Sequence, residues 1–189
     1  MTRFIKYIAI VAGVLFIVAI SVIYIGAHYP ASKPLTEAEK ELARSVYGDS
    51  IRLDAVRIVS DSIYSIDVSK TIGNTVHLRT AVRTDLSNKA LLIHELGHVW
   101  QYQNHGWGYI PKSLAVQFLA FVRTGSASAA YSWEADFLKG TLWEELNPEQ
   151  QAESVAEYFY YREFNNGART DLRKQLECFI PFLRDDSCE

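Results

Sequence analysis

The sequence predicts an α+β fold that is mainly helical, with a small sheet near the start of its main domain and a transmembrane helix ahead of it. Three observations carry this. Tyr7 to Ala27 is an uncharged run rich in Ile, Val and Ala, long enough as a helix to rise about 30 Å, the thickness of a bilayer's hydrocarbon core. Beyond it, capping signals recur around apolar stripes of helical period. Only two short segments, 51–59 and 74–80, are rich in Ile, Val, Leu and Thr with partial alternation, as half-buried strands are.

At 189 residues the chain has room for one main domain. Its net charge of −3 and scattered Lys and Arg leave no electrostatic footprint for nucleic acid, which is not expected as a partner. The 13% aromatic and 22% charged shares exclude a disordered chain. Arg3 and Lys6 precede the apolar run and Lys33 is the first charge after it. The positive-inside bias then puts the N-terminus in the cytoplasm and the domain outside it, in the periplasm, as a single-pass protein of the cell membrane. A cleaved signal peptide fits less well, because its apolar region spans only about 7–15 residues. The expected organisation is a cytoplasmic tip and anchor at 1–28, a linker at 29–34 and a domain at 35–189. The cysteines, Cys178 and Cys188, form either a disulfide closing the C-terminal tail or two free thiols; their spacing does not decide.

Along the domain, Thr36 with Glu39 makes a capping box, and Gly48 a stop, for a helix at 37–47. Gly73-Asn74 marks a turn before the second strand. Ser87 suits the N-cap of a helix at 88–104, and Pro111 the start of another at 112–123. Asn147-Pro148-Glu149-Gln150 opens a helix running to about 165. A last amphipathic helix spans 170–183.

His94-Glu95-Leu96-Gly97-His98 lies within the helix at 88–104. Residues four apart share a helix face, so both imidazoles can point at one ion, with Glu95 beside the position of an activated water. This is the H-E-x-x-H pattern of zinc hydrolases: two His ligands and a Glu general base. A zinc site needs a third protein ligand. His105 is one position out of register for the metzincin pattern. Glu149, Glu153 and Glu157 recur every four residues beside the apolar stripe of Ala152, Val155, Ala156 and Phe159. Glu153 is favoured as ligand because it lies two turns into its helix, where backbone is well held. Glu157 could then hold a ligating His by its other nitrogen. Glu149, in the more frayed first turn, and Glu134 are the alternatives.

His94-Glu95-Leu96-Gly97-His98-Val99-Trp100-Gln101, followed by Asn147-Pro148-Glu149-Gln150-Gln151-Ala152-Glu153, resembles the bacterial Vgr-related zinc metallopeptidases, which are similar to core domains associated with contractile injection systems. More broadly it resembles gluzincins, whose third ligand is a Glu on a later helix, followed four residues on by an acidic residue. The similarity covers roughly residues 50–165. It implies a compact zincin-like domain at 35–189, zinc on His94, His98 and Glu153, and Glu95 as the base. Glu157 stands where gluzincins usually carry Asp.

The expected function is membrane-anchored, zinc-dependent hydrolysis of peptide bonds in a peptide or protein substrate outside the cytoplasm. Glu95 would take a proton from water and a Tyr (Tyr109, Tyr158, Tyr160 or Tyr161) would steady the developing oxyanion. The alternative is a non-catalytic, zinc-stabilised scaffold or secretion-apparatus module with an envelope protein as partner. Its candidate docking residues are Trp107, Tyr109 and the apolar stretch Leu114 to Val122.

Overall fold

The computed structural model describes residues 32–60, 69–78, 86–164, 169–185 and 188. Residues 7–27, expected to form the transmembrane helix, lie outside them. Among the described residues no helix is long and apolar enough to cross a membrane. For the described residues the fold class is corrected accordingly, to a mainly helical α+β unit with a small sheet. The single-pass membrane localisation and the membrane as a partner rest on residues 7–27, and no helix among the described residues supports them.

Residues Ser32–Glu189 form one unit. β1 (Lys33–Pro34), at the end of the expected linker, pairs antiparallel with β2 (Arg57–Ser60), which runs parallel to β4 (Thr75–Leu78). β3 (Lys70–Ile72) pairs antiparallel with β4, giving the order β1-β2-β4-β3. The expected strand at 51–59 is shorter than its composition implied, because Leu53–Ala55 forms a 3-10 turn. β3 went unseen because three residues are too few to display a period. The turn at Gly73-Asn74 joins β3 to β4 as expected, with Gly73 at φ +62°. A side chain there would also meet the Trp107 ring, 3.0 Å from an added Cβ.

α1 (Glu37–Tyr47) starts at the expected capping box: Thr36 Oγ1 accepts from the Glu39 N–H, and Glu39 accepts from the Thr36 N–H at 2.7 Å. α2 (Leu86–His105) carries the H-E-x-x-H motif and is buried from Leu92 to Val99. It begins two residues before the expected position, with Ser87 inside it. α3 (Tyr109–Thr124) starts two residues before Pro111, which is tolerated because the first N–H groups of a helix need no partner within it. α4 (Glu134–Leu138) is one short turn flanked by 3-10 segments at Ala127–Tyr131 and Trp143–Glu145. α5 (Pro148–Phe164) packs along α2, and α6 (Thr170–Phe179) closes the unit.

The core lies between α2, α5, α1 and the sheet, where Leu92, Ile93, Leu96, Val99, Tyr47, Val76 and Phe159 are buried. Cutting a side chain such as Leu96 back to Ala costs about 2–5 kcal/mol in such surroundings. Gly97 sits where α2 and α5 meet. A Cβ there would lie 3.1 Å from Ala152 Cα and Cβ and 3.3 Å from the Tyr47 hydroxyl. The missing side chain is what lets the motif helix approach the helix that bears the glutamates.

Candidate metal centre

His94 and His98 share the buried face of α2 and turn their Nε2 atoms into a cleft. What aims them is the partner of each outer nitrogen. His94 donates from Nδ1 to Glu153 Oε2 at 2.9 Å, and His98 donates from Nδ1 to Gln101 Oε1 at 2.8 Å. Gln101 cannot be turned over, because its amide nitrogen donates to the Pro148 carbonyl at 2.9 Å and to Gln151 Oε1 at 3.0 Å. Its oxygen is therefore left for His98. With a proton held on each Nδ1 by an acceptor, both Nε2 atoms are presented inward.

Glu149 brings the third donor. Its Oε2 lies 3.5 Å from His94 Nε2 and 3.4 Å from His98 Nε2. The three buried groups have ligand atoms within 4.8 Å of one another and could hold a metal ion. Two ligand atoms about 2.0–2.1 Å from a tetrahedral ion stand roughly 3.3–3.4 Å apart, which these spacings match. Ser113 and Gln117, a helical turn apart on α3, both donate to Glu149 Oε1, Gln117 at 2.8 Å. One carboxylate oxygen is thus held from behind while the other faces the histidines. The donor set of two imidazoles and a carboxylate suits zinc chemically.

The expected residues are distributed differently from their assigned roles. The structure brings Glu149, not Glu153, to the two Nε2 atoms, and it is Glu153 that holds the outer nitrogen of His94. Glu157 touches neither histidine; it accepts from Tyr161 at 2.9 Å, and burial pushes its carboxyl above the usual range. Glu134 pairs with Arg169 at 2.7 Å, away from the cleft. His105 ends α2 with its ring against Trp100. The first turn of α5 is not frayed. Asn147 Oδ1 accepts from the N–H groups of Glu149 and Gln150, and the Gln150 side chain bonds back to the Asn147 N–H, to the Ser132 carbonyl and to Asp136. Such a cap secures the position of Glu149.

Glu95 lines the same cleft, almost wholly buried, and the Thr71 hydroxyl of β3 lies 2.8 Å from its Oε2 and 3.0 Å from its carbonyl. Tyr109 stacks on His98 but its hydroxyl is spent on β3, donating to the Thr71 carbonyl and accepting from the Gly73 N–H. Burial, aided by the charges of Glu95 and Glu149, pushes its phenol up to about 12. Tyr131, which the sequence did not single out, packs 5.6 Å from the His94 ring and lines the cleft with Glu149. Burial and then the carboxylates around it hold its phenol far above the ordinary value. Tyr158 bonds Glu177, and Tyr160 stacks on Phe164, so neither faces the metal group. Ser113 and Gln117 were legible in principle as two polar residues four apart in the otherwise apolar stretch from 113 to 122.

Burial alone would strip the proton from His94, but hydrogen bonds to Glu149 and Glu153 outweigh it and raise its pKa to about 10. Burial opposes charge on Glu149 too, yet the two imidazoles hold its carboxyl well below the usual range. The cleft measures about 250 Å³ and lies between β3 and α3.

The eCIS core domain, as a protein family, matches residues 34–106, the span from β1 through the H-E-x-x-H helix. The chain is 29% identical over 160 residues to the type VI secretion system spike protein VgrG2b of Pseudomonas aeruginosa, a match covering 79% of this chain and 15% of that protein. It therefore spans only about 15% of the length of the curated relative it matches. Among solved structures, the effector domain of Pseudomonas aeruginosa VgrG2b covers 88% of this chain and 94% of its own, at 23% identity and a TM-score of 0.48. The sequence matches support a relation to contractile-injection-system proteins. The finer gluzincin resemblance does not follow from them. The curated relative is described as a spike protein, which does not support the expectation that this chain is a membrane hydrolase.

Proposed function

We propose that this chain is a secretion-apparatus-associated effector module built around a zinc centre on His94, His98 and Glu149, and that the centre hydrolyses peptide bonds. The similarity to the spike protein supports the first part, with other proteins of the apparatus as partners. One observation carries the second: a buried His-His-Glu group with a buried carboxylate, Glu95, in the same open cleft. A purely structural zinc site is closed by a fourth protein ligand. The His94, His98 and Glu149 group comprises three metal-ligating residues among those described.

A zinc ion held there supplies Lewis acidity, acidifying water and polarising a carbonyl. The chain's own residues do the rest. Glu95 takes a proton from the attacking water and delivers it to the amide nitrogen as the C–N bond breaks. Thr71 holds Glu95 Oε2 in place for this transfer. Tyr131, whose phenol stays protonated, donates a hydrogen bond to the oxygen on which charge develops. Ser113, Gln117, Glu153 and Gln101 keep Glu149 and the imidazoles in position.

Elemental mass spectrometry of the purified chain, with His94→Ala and Glu95→Gln beside it, tests the reading. The expected result is one zinc per wild-type chain, none in His94→Ala, and full zinc without turnover in Glu95→Gln. A folded wild-type chain that stays empty when zinc is offered would sink the metal centre. Zinc bound with no peptide cleaved from a broad library would leave the non-catalytic module.

A further inference from the structure

One surface of α3 stands out among the described residues. Ile110 and Leu114 form part of the cleft wall beside Gln117, whose amide holds Glu149. The same helical stripe continues away from the cleft through Phe118, Phe121 and Val122. Leu114, Phe118, Phe121 and Val122 are 62%, 65%, 58% and 63% exposed, too large and too contiguous to be the scattered apolar residues of an ordinary surface. From Leu114 to Val122 there is no charged residue. The opposite side of α3 is accounted for: Tyr109, Ser113 and Ala120 are buried. The exposed stripe therefore has no structural duty within the described fold.

We propose that this stripe is the substrate track of the cleft, and that it receives extended polypeptide bearing large aliphatic or aromatic side chains next to the bond to be cleaved. The inference rests on the peptidase reading above. What points to a substrate is continuity, since Leu114 belongs at once to the cleft wall and to the exposed stripe, with half-buried Ile110 one turn before it in the wall. Length agrees as well. Ile110 to Phe121 spans about 16 Å of helix, the reach of roughly five extended residues. A segment laid there has one end at the metal group and its apolar side chains on Leu114, Phe118 and Phe121. Burial of such side chains is the source of selectivity, and polar or acidic segments find no partner on the stripe.

The test uses the zinc-loaded full chain, its Glu95→Gln form for binding, and two matched peptides. One carries alternating Leu and Phe; in the other these are Ser and Asp. The apolar peptide is expected to bind Glu95→Gln at least about tenfold more tightly, the worth of roughly one buried apolar side chain. It is also expected to be cleaved by the wild type with a correspondingly higher kcat/KM. Leu114→Asp and Phe118→Asp should each shrink that ratio, with zinc content and circular dichroism showing that the fold persists. Phe118→Gln serves as the milder second variant. Cleavage of both peptides at equal rates overturns the track while leaving the peptidase reading intact. Selective binding of the apolar peptide by Glu95→Gln, with nothing cleaved by wild type, overturns the peptidase reading and with it the substrate role of the stripe, which is then a peptide-binding surface only. Self-association of the chain that Phe118→Asp abolishes, without selective peptide binding, assigns the stripe to a second copy and overturns the proposal.

Discussion

Glu149 and Glu153 are one helical turn apart, and their roles are divided by which histidine nitrogen each meets. Glu149 reaches the inward Nε2 atoms; Glu153 reaches the outward Nδ1 of His94. Glu149→Ala should therefore abolish stoichiometric zinc. Glu153→Ala and Gln101→Ala should each weaken it by about 10–100-fold, the usual cost of losing a group that orients a ligand. Glu157→Gln should leave zinc affinity unchanged, since its partner is Tyr161. Competition with a chromophoric chelator measures all four, and a large effect of Glu157→Gln would contradict this division. His94 adds a pH dependence. Despite burial, the carboxylates raise its pKa from 6.5 to about 10 in the metal-free fold. The charged contact thus contributes stability that is full below pH 6.5 and lost as pH rises through about 10. At neutral pH zinc must displace that proton. Calorimetry in buffers of different ionisation enthalpy should show about one proton released per ion at pH 7, and affinity climbing between pH 7 and about 10. Uptake without proton release would count against a charged His94.

At the scale of elements, the site is a meeting of two helices and an outer strand. α2 supplies the histidines and Glu95, α5 supplies Glu149 and Glu153, and β3 steadies Glu95 through Thr71. The distance between α2 and α5 is set at Gly97, against Ala152. Gly97→Leu should drive the helices apart, costing at least about 1–3 kcal/mol by overpacking and weakening zinc binding with it. Urea unfolding beside zinc titration checks this; a variant with unaltered stability and affinity would show that the approach is not required. The helix at α5 was legible from Asn147-Pro148-Glu149-Gln150, and the strip of glutamates from their spacing. Choosing among them was not, because a fourfold repeat presents equivalent carboxylates on one face and only the register against α2 separates them. The first turn of α5 does not fray, since tertiary contacts of Gln150 with Ser132 and Asp136 hold it.

Across the whole unit, the C-terminal tail is tied back onto the core. Cys178 and Cys188 form a disulfide, and between them Ile180 is buried while Phe182 packs on Tyr47, Trp100 and Trp143. Tyr47 in turn donates to the Ile93 carbonyl, one residue before His94. Replacing both cysteines with serine should lower the unfolding free energy by roughly 2–3 kcal/mol, from the entropy returned to a loop of this length. Denaturant titration of the oxidised protein and the double variant measures it, and a difference near zero would mean that aromatic packing alone secures the tail. The pairing was undecided in the sequence because spacing does not reveal whether two Cβ atoms face each other.

The sequence by itself determined the motif helix, the capped helix bearing the glutamates, the turn at Gly73-Asn74 and the mainly helical class. Each is a local matter, written in residues a few positions apart whose periodicity and capping chemistry act within one element. The tertiary structure alone decided that Glu149 joins His94 and His98, that Ser113, Gln117 and Gln101 brace them, that Tyr131 enters the cleft, and that the α3 stripe lies open beside it. These are relations between elements distant in the chain. They depend on how closely helices pack and at what register, which no local pattern encodes.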